Sequence, residues 1–254
     1  MCRMKCLLLG AGYATRLYPL TKERPKPLLP IGGIPMLQRI IEQVSEIPDM
    51  DCIYIVTNHR FATSYYNWLR DYTLQKQSLP VPIEIFDDLT TSNDDRLGAI
   101  GDMNFVVENG KIDDDLLVIS GDNLFEFPLN DFLEFAREHK SSAICLHDLE
   151  SRELVSLYGV VAKDDQNKVT DFEEKPSKPL STLISMGVYF FTREHMPLLK
   201  RYLEEGHNAD RPGNYVEWLY RQVDLYGYVI SGRWFDIGDI DSYNTANELF
   251  LNEG

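Results

Sequence analysis

Basic side chains follow the first glycine turn of the chain, and their type and spacing suit phosphate binding. Residues 16–26 contain Arg16, Lys22, Arg24 and Lys26 against the single acid Glu23, a local charge of +3. Just before them, the small residues GAG at 10–12 let backbone N–H groups approach a bulky anion closely. Guanidinium and ammonium groups bind phosphate oxygens through charge-assisted hydrogen bonds. The pattern predicts a loop that binds nucleotide phosphates; a solvated basic loop is the alternative interpretation.

An acidic residue follows a later apolar run at a position suited to a metal ion. Asp122 lies two residues after the predicted strand at 116–120. Mg²⁺ usually takes one or two protein carboxylates and completes its octahedron with phosphate oxygens and water. Asp122 is therefore a candidate Mg²⁺ ligand, and an Asx turn at the end of the strand is the alternative.

The elements that must position these residues alternate in the first half of the chain. Short apolar runs alternate with longer helical patterns, which is the rhythm of parallel βαβ units. The predicted strands are 5–9, 52–57, 83–86 and 116–120, and the predicted helices are 35–47, 61–70, 99–107 and 130–139. Ligands of open α/β sheets sit beyond the carboxyl ends of the strands. Both candidate segments lie at such ends.

The second half favours a mixture of strands and helices. Strands are expected at 142–146, at 158–162 and 169–172 around the polar turn DDQN, and at 184–191. No flexible linker separates the halves, so we expect one domain over 1–254 with a nucleotide half at about 1–125 and a second half at about 126–254. The site is expected in the cleft between them.

Composition limits the classes of function. The chain has 254 residues and a net charge of −15, which disfavours general binding to nucleic acids and anionic membranes. No apolar run approaches the roughly 20 residues of a membrane span, and residues 1–9 are too short for a signal peptide. We therefore expect a cytoplasmic protein. Cys2, Cys6, Cys52 and Cys145 match no metal or redox spacing and are predicted to be reduced thiols.

One long segment carries a resemblance to a known family. The stretch GAGYATRLYPLT, followed by RPKPLLPIGG, resembles the opening signature of the sugar-1-phosphate nucleotidyltransferases, such as glucose-1-phosphate thymidylyltransferase. The resemblance implies an α/β, GT-A-like (Rossmann-like) fold with a mixed, mainly parallel sheet flanked by helices. It implies a Mg²⁺-assisted reaction in which a nucleoside triphosphate and a sugar 1-phosphate give a nucleotide sugar and pyrophosphate. It covers about residues 4–247, and no hexapeptide repeats predict a C-terminal β-helix.

The resemblance assigns roles to the opening loop. Arg16 would bind the triphosphate and the departing pyrophosphate, and Lys26 would contact the α-phosphate; with Asp122 they form the expected catalytic set. Residues that would line the nucleotide are Leu9, Ala11, Gly12 and Thr15. The family commonly has glycine where this chain has Ala14, so a positive φ there would be strained.

Further residues are assigned by later motifs of the family. GDN at 121–123 and WFDIG at 234–238 would supply two metal ligands, Asp122 and Asp236, whereas Asp239 is expected to cap the last helix. In FEEKP at 172–176, Glu174 would bond sugar hydroxyls and Lys175 would contact the sugar phosphate. The expected sugar-phosphate residues are Gly159, Glu174, Lys175 and Gly187, with Ser185 on the far wall.

The base and the acceptor are the least determined features. Residues 86–102 occupy the region that reads the base in this family, and Gly98 with Asn93 or Arg96 would contact it in place of the usual glutamine. The motif GDNLF leans toward dTTP or UTP, with glucose 1-phosphate as the favoured acceptor. Alternatives are a cytidylyltransferase acting on a non-sugar phosphate such as phosphocholine, and a catalytically silent nucleotide-sugar-binding homologue. A homo-oligomer is also compatible with the sequence.

Overall fold

A computed structural model describes residues 3–149, 151 and 153–252. These residues form thirteen strands and seven α-helices. The strands are β1 Met4–Leu9, β2 Pro30–Ile31, β3 Ile34–Pro35, β4 Met50–Thr57, β5 Ile83–Asp87, β6 Asp115–Ser120, β7 Asn123–Phe125, β8 Ala143–Asp148, β9 Gly159–Lys163, β10 Val169–Glu174, β11 Leu183–Phe191, β12 Tyr226–Val229 and β13 Trp234–Asp236. The helices are α1 Met36–Ser45, α2 His59–Lys76, α3 Ala99–Asn109, α4 Leu129–His139, α5 Pro197–Glu204, α6 Pro212–Leu219 and α7 Ile240–Asn252.

Nine of the strands form one mixed sheet that both halves of the chain share. Its main path runs β10-β9-β11-β6-β1-β4-β5, with β8 pairing with β11 and β12. Strands β6, β1, β4 and β5 are parallel, whereas β11 is antiparallel to β6, β8 and β9. The structure therefore confirms the GT-A-like α/β fold, with its parallel strands gathered in the nucleotide half.

Helices cover both faces of the sheet because its central strands are apolar on both sides. In β1, Cys6 and Leu8 join the core under α1, α2 and α4, whereas Leu7 joins the core under α3, α5 and α6. Side chains of a strand alternate between faces, so a sheet covered on both faces has continuous apolar strands. The runs that predicted buried strands are thus explained by two separate cores.

The predicted elements of the first half are present, with shifted ends. Helix α2 runs from His59 to Lys76, longer than the predicted 61–70, because the side chain of Asn58 caps its first turn and accepts a hydrogen bond from the backbone N–H of Phe61 at 3.1 Å. In the second half, α5, α6, β12 and β13 were not predicted. Helix α7 begins after Asp239, as expected, and the side chain of Asp239 accepts a hydrogen bond from the backbone N–H of Ser242 at 2.8 Å.

Two expectations drawn from composition meet the structure directly. Cys6, Cys52 and Cys145 are buried free thiols, as predicted, whereas Cys2 lies outside the described residues. None of the helices formed by the described residues is long and apolar enough to cross a membrane.

Candidate active site

A cavity of about 310 Å³ opens at the carboxyl ends of the parallel strands, where the sequence predicted a site. It lies between the loop after β1, the segment after β6 and the connection from β5 to α3. Of the residues predicted to contact the nucleotide or to be catalytic, the cavity is lined by Leu9, Ala11, Gly12, Arg16, Lys26, Asn93, Gly98 and Asp122. Thr15 lies in an exposed turn of 3₁₀-helix and is not part of that lining.

Hydrogen bonds from α2 and from its N-cap residue, Asn58, hold the loop after β1. Asn58 donates a hydrogen bond from Nδ2 to the carbonyl oxygen of Ala11 at 2.7 Å, and Tyr65 donates from its hydroxyl to the carbonyl of Gly10 at 3.1 Å. A Cβ at position 10 would stand 2.5 Å from the Tyr65 hydroxyl, so glycine is required there. The loop is therefore fixed from the side that faces the core.

Ala14 adopts the left-handed conformation that the sequence analysis described as strained. Its φ and ψ are both 45°, and its carbonyl accepts a hydrogen bond from the Thr21 hydroxyl at 2.8 Å. Left-handed backbone costs a residue with a Cβ about 1–2 kcal/mol. The bond to the buried Thr21 helps to hold this conformation, which turns the chain into the short helix that carries Arg16.

Lys26 and Asp122 form an ion pair at the cavity wall. The Nζ atom of Lys26 lies 2.7 Å from Oδ2 of Asp122, and Lys26 is only 8% exposed. Burial alone would raise the pKa of Asp122, but attraction to Lys26 and the hydrogen bond from it, with a smaller contribution from Arg16, hold this pKa below its usual range. Asp122 is consequently a carboxylate, and two basic groups stand around it.

Asp236 is brought to the same edge by a small ladder that the sequence did not reveal. Strand β13 pairs antiparallel with β7, and Asp236 stands opposite Asn123, the residue next to Asp122. Asp236 is exposed, and its Oδ2 accepts a hydrogen bond from the Tyr158 hydroxyl at 3.0 Å. The two acids that the family motifs single out therefore lie at the same end of this ladder, Asp236 at the end of β13 and Asp122 just before β7.

The donor set at this edge is compatible with Mg²⁺. Within the described residues no group of three or more His, Cys, Asp or Glu side chains is arranged to hold a metal. Two carboxylates, Asp122 and Asp236, are nevertheless the number that Mg²⁺ commonly takes from a protein when phosphate oxygens complete its shell. Asp236 is open to solvent, and Asp122 keeps one oxygen outside its bond to Lys26.

The predicted sugar residues gather where β9, β10 and β11 meet. Gly159 pairs with Glu174 on one side and with Ser185 on the other. A Cβ on Gly159 would stand 2.5 Å from Cζ of Phe172 and 3.1 Å from Oε2 of Glu174, so glycine is needed for this approach. The register of the three strands thus brings together predicted sugar residues that lie far apart in the sequence.

The carboxylate of Glu174 turns toward the start of α6. Its side chain is 10% exposed, and its Oε1 lies 3.8 Å from Nη1 of Arg211. A Cβ on Gly213 would stand 2.0 Å from Oε2 of Glu174, which explains why glycine occupies the first turn of this helix. Burial raises the pKa of Glu174, and Lys175 and Arg211 oppose that effect.

Lys175 and Gly187 both have positive φ. Lys175, at φ 54°, is exposed, and its backbone N–H donates to the carbonyl of Tyr158 at 3.0 Å. Gly187, at φ 76°, lies in an irregular part of β11, where a Cβ would stand 2.8 Å from the Ser120 hydroxyl and 2.9 Å from Nδ2 of Asn123. Its carbonyl accepts a hydrogen bond from Asn123 at 3.2 Å, which ties β11 to the segment that follows Asp122.

The connection between β5 and α3 forms the other end of the cavity. Nη1 of Arg96 donates to the carbonyl of Asn93 at 2.6 Å, and its Nε donates to Oδ1 of Asp210 at 3.0 Å. Gly98 begins α3 with φ 78°, and a Cβ there would stand 2.5 Å from the carbonyl oxygen of Ala209. Gly98 therefore also serves the close packing of the two halves.

Two buried acids at this end were missed by the sequence analysis. Asp88 follows β5, Asp102 lies in the first turn of α3, and each is 6% exposed. Burial, the charge of Asp88 and a hydrogen bond to it raise the pKa of Asp102 to about 8. Helical spacing carried a signal, because Asp102 shares the apolar face of α3 with Val106, where an acid is unexpected.

Comparisons with known proteins assign the chain to a family and show other proteins with this α/β fold. A family model described as Nucleotidyl transferase matches residues 5–253. The chain is 29% identical over 252 residues to the bifunctional protein GlmU of Methanocaldococcus jannaschii, covering 98% of this chain and 55% of the relative. It is also 29% identical over 246 residues to a UTP--glucose-1-phosphate uridylyltransferase of Synechocystis, covering 94% and 61%.

A solved structure shows the same fold. The crystal structure of a UDP-glucose pyrophosphorylase complexed with UDP-glucose superposes with a TM-score of 0.82 at 21% identity and covers 100% of both chains. The chain spans about half the length of the GlmU relative that it matches. It belongs to the nucleotidyl transferase family.

Proposed function

We propose that the protein transfers a nucleotidyl group from a nucleoside triphosphate to a sugar 1-phosphate, with release of pyrophosphate. UTP or dTTP and glucose 1-phosphate are the favoured substrates. The observation that carries the proposal is the pair formed by Lys26 and Asp122 in the wall of a cavity whose opening loop also presents Arg16. A buried lysine beside a carboxylate, at the end of parallel strands, supports binding of phosphate and a cation there.

The attacking group requires no general base in this reaction. A phosphate monoester has a second pKa near 6, so a sugar phosphate already presents an anionic oxygen at pH 7. The protein must place that oxygen in line with the α-phosphate and balance the charge that develops. Arg16 would hold the departing pyrophosphate. Lys26 would contact the α-phosphate, which requires it to break its ion pair with Asp122.

Mg²⁺ is the proposed cofactor, with Asp122 and Asp236 as its protein ligands. When bound, it would neutralise charge on the phosphate oxygens as a Lewis acid. Tyr158 would orient Asp236 through the hydrogen bond from its hydroxyl. On the acceptor side, Lys175 would contact the sugar phosphate, and Glu174, beside Gly159, would bind sugar hydroxyls.

The test is pyrophosphate release measured with Mg²⁺ over a matrix of nucleoside triphosphates and sugar or alcohol phosphates. Release that requires both substrates supports the proposal and identifies the pair. Arg16→Ala is expected to lower kcat/KM by about 10²-fold or more, as loss of one charge-stabilising donor does in other enzymes. Arg24→Ala is the matched control, because Arg24 is exposed on the same loop outside the cavity lining.

Carboxylate variants test the metal proposal separately. Asp122→Asn and Asp236→Asn should raise the Mg²⁺ concentration needed for half-maximal rate, whereas Asp241→Asn, an exposed acid in the first turn of α7, should not. Nucleotide binding without pyrophosphate release from any acceptor would overturn the transferase proposal in favour of the silent binding homologue.

A further inference from the structure

The cavity has ends of opposite charge, and this polarity orients a nucleotide. Arg16 and Lys26 outnumber the single acid Asp122 at the end formed by β1 and β6. Asp88 and Asp102 stand at the end formed by β5 and α3, where Arg96 is already paired with Asp210. Strand β4 separates β1 from β5 in the sheet, which puts the two ends about 10 Å apart at the usual strand spacing. Triphosphate oxygens are attracted to the cationic end and repelled by the negative charge that Asp88 and Asp102 share. A nucleoside spans a comparable distance, so its base reaches the acidic end.

In the pair formed by Asp88 and Asp102, one carboxyl oxygen has no hydrogen-bond partner among the described residues. Oδ1 of Asp88 accepts from the backbone N–H of Thr90 at 2.7 Å and from its hydroxyl at 2.8 Å. Asp102 carries the proton of the pair and donates it to Asp88, so the negative charge resides on Asp88, where those bonds stabilise it. Oδ1 of Asp102, by contrast, is buried and accepts no hydrogen bond from any described residue.

An unpaired buried acceptor costs free energy until a donor reaches it. Because Asp102 forms part of the cavity wall, a ligand bound in the cavity can supply this donor. Uracil, thymine and guanine carry an N–H on a ring nitrogen of their pairing edge. The corresponding ring nitrogen of cytosine and adenine carries a lone pair, which an acceptor oxygen repels.

We infer that Asp102 is a specificity-determining residue that accepts a hydrogen bond from the ring N–H of the nucleotide base, so that the site selects uracil, thymine or guanine against cytosine and adenine. This inference rests on the proposed function for its substrate class, and it names a residue and a chemical rule that the function leaves open. It also disfavours the cytidylyltransferase alternative. The uridylyltransferase relative, by its name, uses a base of the selected kind.

The test is nucleotide binding measured by isothermal titration calorimetry of the full chain with Mg²⁺, using UTP, 3-methyl-UTP, GTP, CTP and ATP as probes. Loss of a buried hydrogen bond that leaves one group unpaired corresponds to roughly tenfold in affinity. The wild-type protein should therefore bind UTP and GTP at least about tenfold more tightly than CTP and ATP. Methylation of the uracil ring N–H should cause a similar loss.

Two substitutions of Asp102 distinguish the role of its oxygen as a hydrogen-bond acceptor from the effect of its ionisable carboxyl group. Asp102→Asn keeps a carbonyl acceptor and an N–H donor toward Asp88, so it should retain the preference for UTP over 3-methyl-UTP. Asp102→Ala removes the acceptor and should bring the two within about threefold, while the cationic end still binds triphosphate. Asp94→Asn, an exposed acid on the same connection, is the control and should behave as wild type.

The outcomes distinguish this inference from the transferase proposal. Equal binding of UTP and 3-methyl-UTP by the wild-type protein, or an undiminished preference in a folded Asp102→Ala variant, overturns the role of Asp102. Pyrophosphate release with CTP or ATP as the best donor overturns the base rule and leaves the transferase proposal intact. A clear base preference without turnover on any phosphate acceptor supports the base rule and overturns the transferase proposal.

Discussion

Asp102→Asn is expected to change how the stability of the protein depends on pH. Burial, the charge of Asp88 and a hydrogen bond to it raise the pKa of Asp102 to about 8 in the folded protein, against an ordinary value of 3.8. Between these values the folded state holds one proton that the unfolded state has lost. Stability therefore falls as pH rises through this interval, and it becomes level above the folded pKa.

The magnitude follows from the one-proton difference. One bound proton corresponds to a slope of about 1.4 kcal/mol per pH unit. The amide introduced by Asp102→Asn does not titrate and still donates to Asp88, so the free energy of unfolding of the variant, minus that of wild type, should rise at about this slope between roughly pH 5 and 7. Asp102 is only 6% exposed, so solvent screening reduces the value little.

The assay is urea unfolding followed by tryptophan fluorescence at several pH values from 5 to 9, with wild type, Asp102→Asn and Asp94→Asn compared under the same conditions. Subtracting wild type removes the pH dependence that the two proteins have in common. A difference for Asp102→Asn that stays constant across this range would refute the shared proton. The Asp94→Asn difference should be flat.

Four further substitutions test the backbone conformation and helix capping in and around the site. Gly98→Ala should lower the free energy of unfolding by about 2–3 kcal/mol, because the new Cβ would stand 2.5 Å from the Ala209 carbonyl oxygen and the backbone has a conformation that only glycine adopts easily. Gly206 has a similar φ of 77° but open space around it, so Gly206→Ala should cost only about 1 kcal/mol. Urea unfolding of both variants measures the difference. Ala14→Gly should raise stability by up to about 1 kcal/mol in the same assay, since relief of left-handed strain exceeds the entropy cost of glycine; a loss would contradict the strain. Asp239→Ala should cost about 1 kcal/mol by removing the cap of α7, and an unchanged melting temperature would argue against that role.

The sequence predicted the parallel half of the fold because its signals are local. Each of β1, β4, β5 and β6 is an apolar run next to a helix of regular period, so pattern and structure agree. In the second half, β12 and β13 have only four and three residues, and α5 and α6 have eight each. Such short elements are set by packing against β8, β7 and β10, which periodicity does not report.

The phosphate side of the site was predictable for a similar reason. Arg16 and Lys26 lie in one charged segment after one strand, so their proximity follows from position in the chain. The pair of Asp88 and Asp102 gives a weaker signal, because an acid on the apolar face of α3 is unusual but Asp88 alone resembles an ordinary turn residue. Burial and the contact with Asp88, which only the fold creates, raise the pKa of Asp102. Its Oδ1 is buried without a hydrogen-bond partner among the described residues.

The position of Asp236 in the site could be predicted only from the resemblance to the family, because no local pattern in the sequence indicates it. Its neighbourhood is a ladder of two three-residue strands, β7 and β13, too short for any alternation of apolar residues to be recognised. The ladder is held by Trp234, whose Nε1 donates to Oδ1 of Asn123 at 2.9 Å, and by the pairing of Asp236 with Asn123 itself. Because Asn123 also bonds the Gly187 carbonyl, one side chain ties the strand of Asp236 to β11, where the predicted sugar residues lie. Asn123→Ala should therefore disturb both the proposed Mg²⁺ ligands and the predicted sugar residues. We expect this variant to lose affinity for Mg²⁺ and for the sugar phosphate together. Loss of only one of these affinities would contradict the role of Asn123 in linking the two.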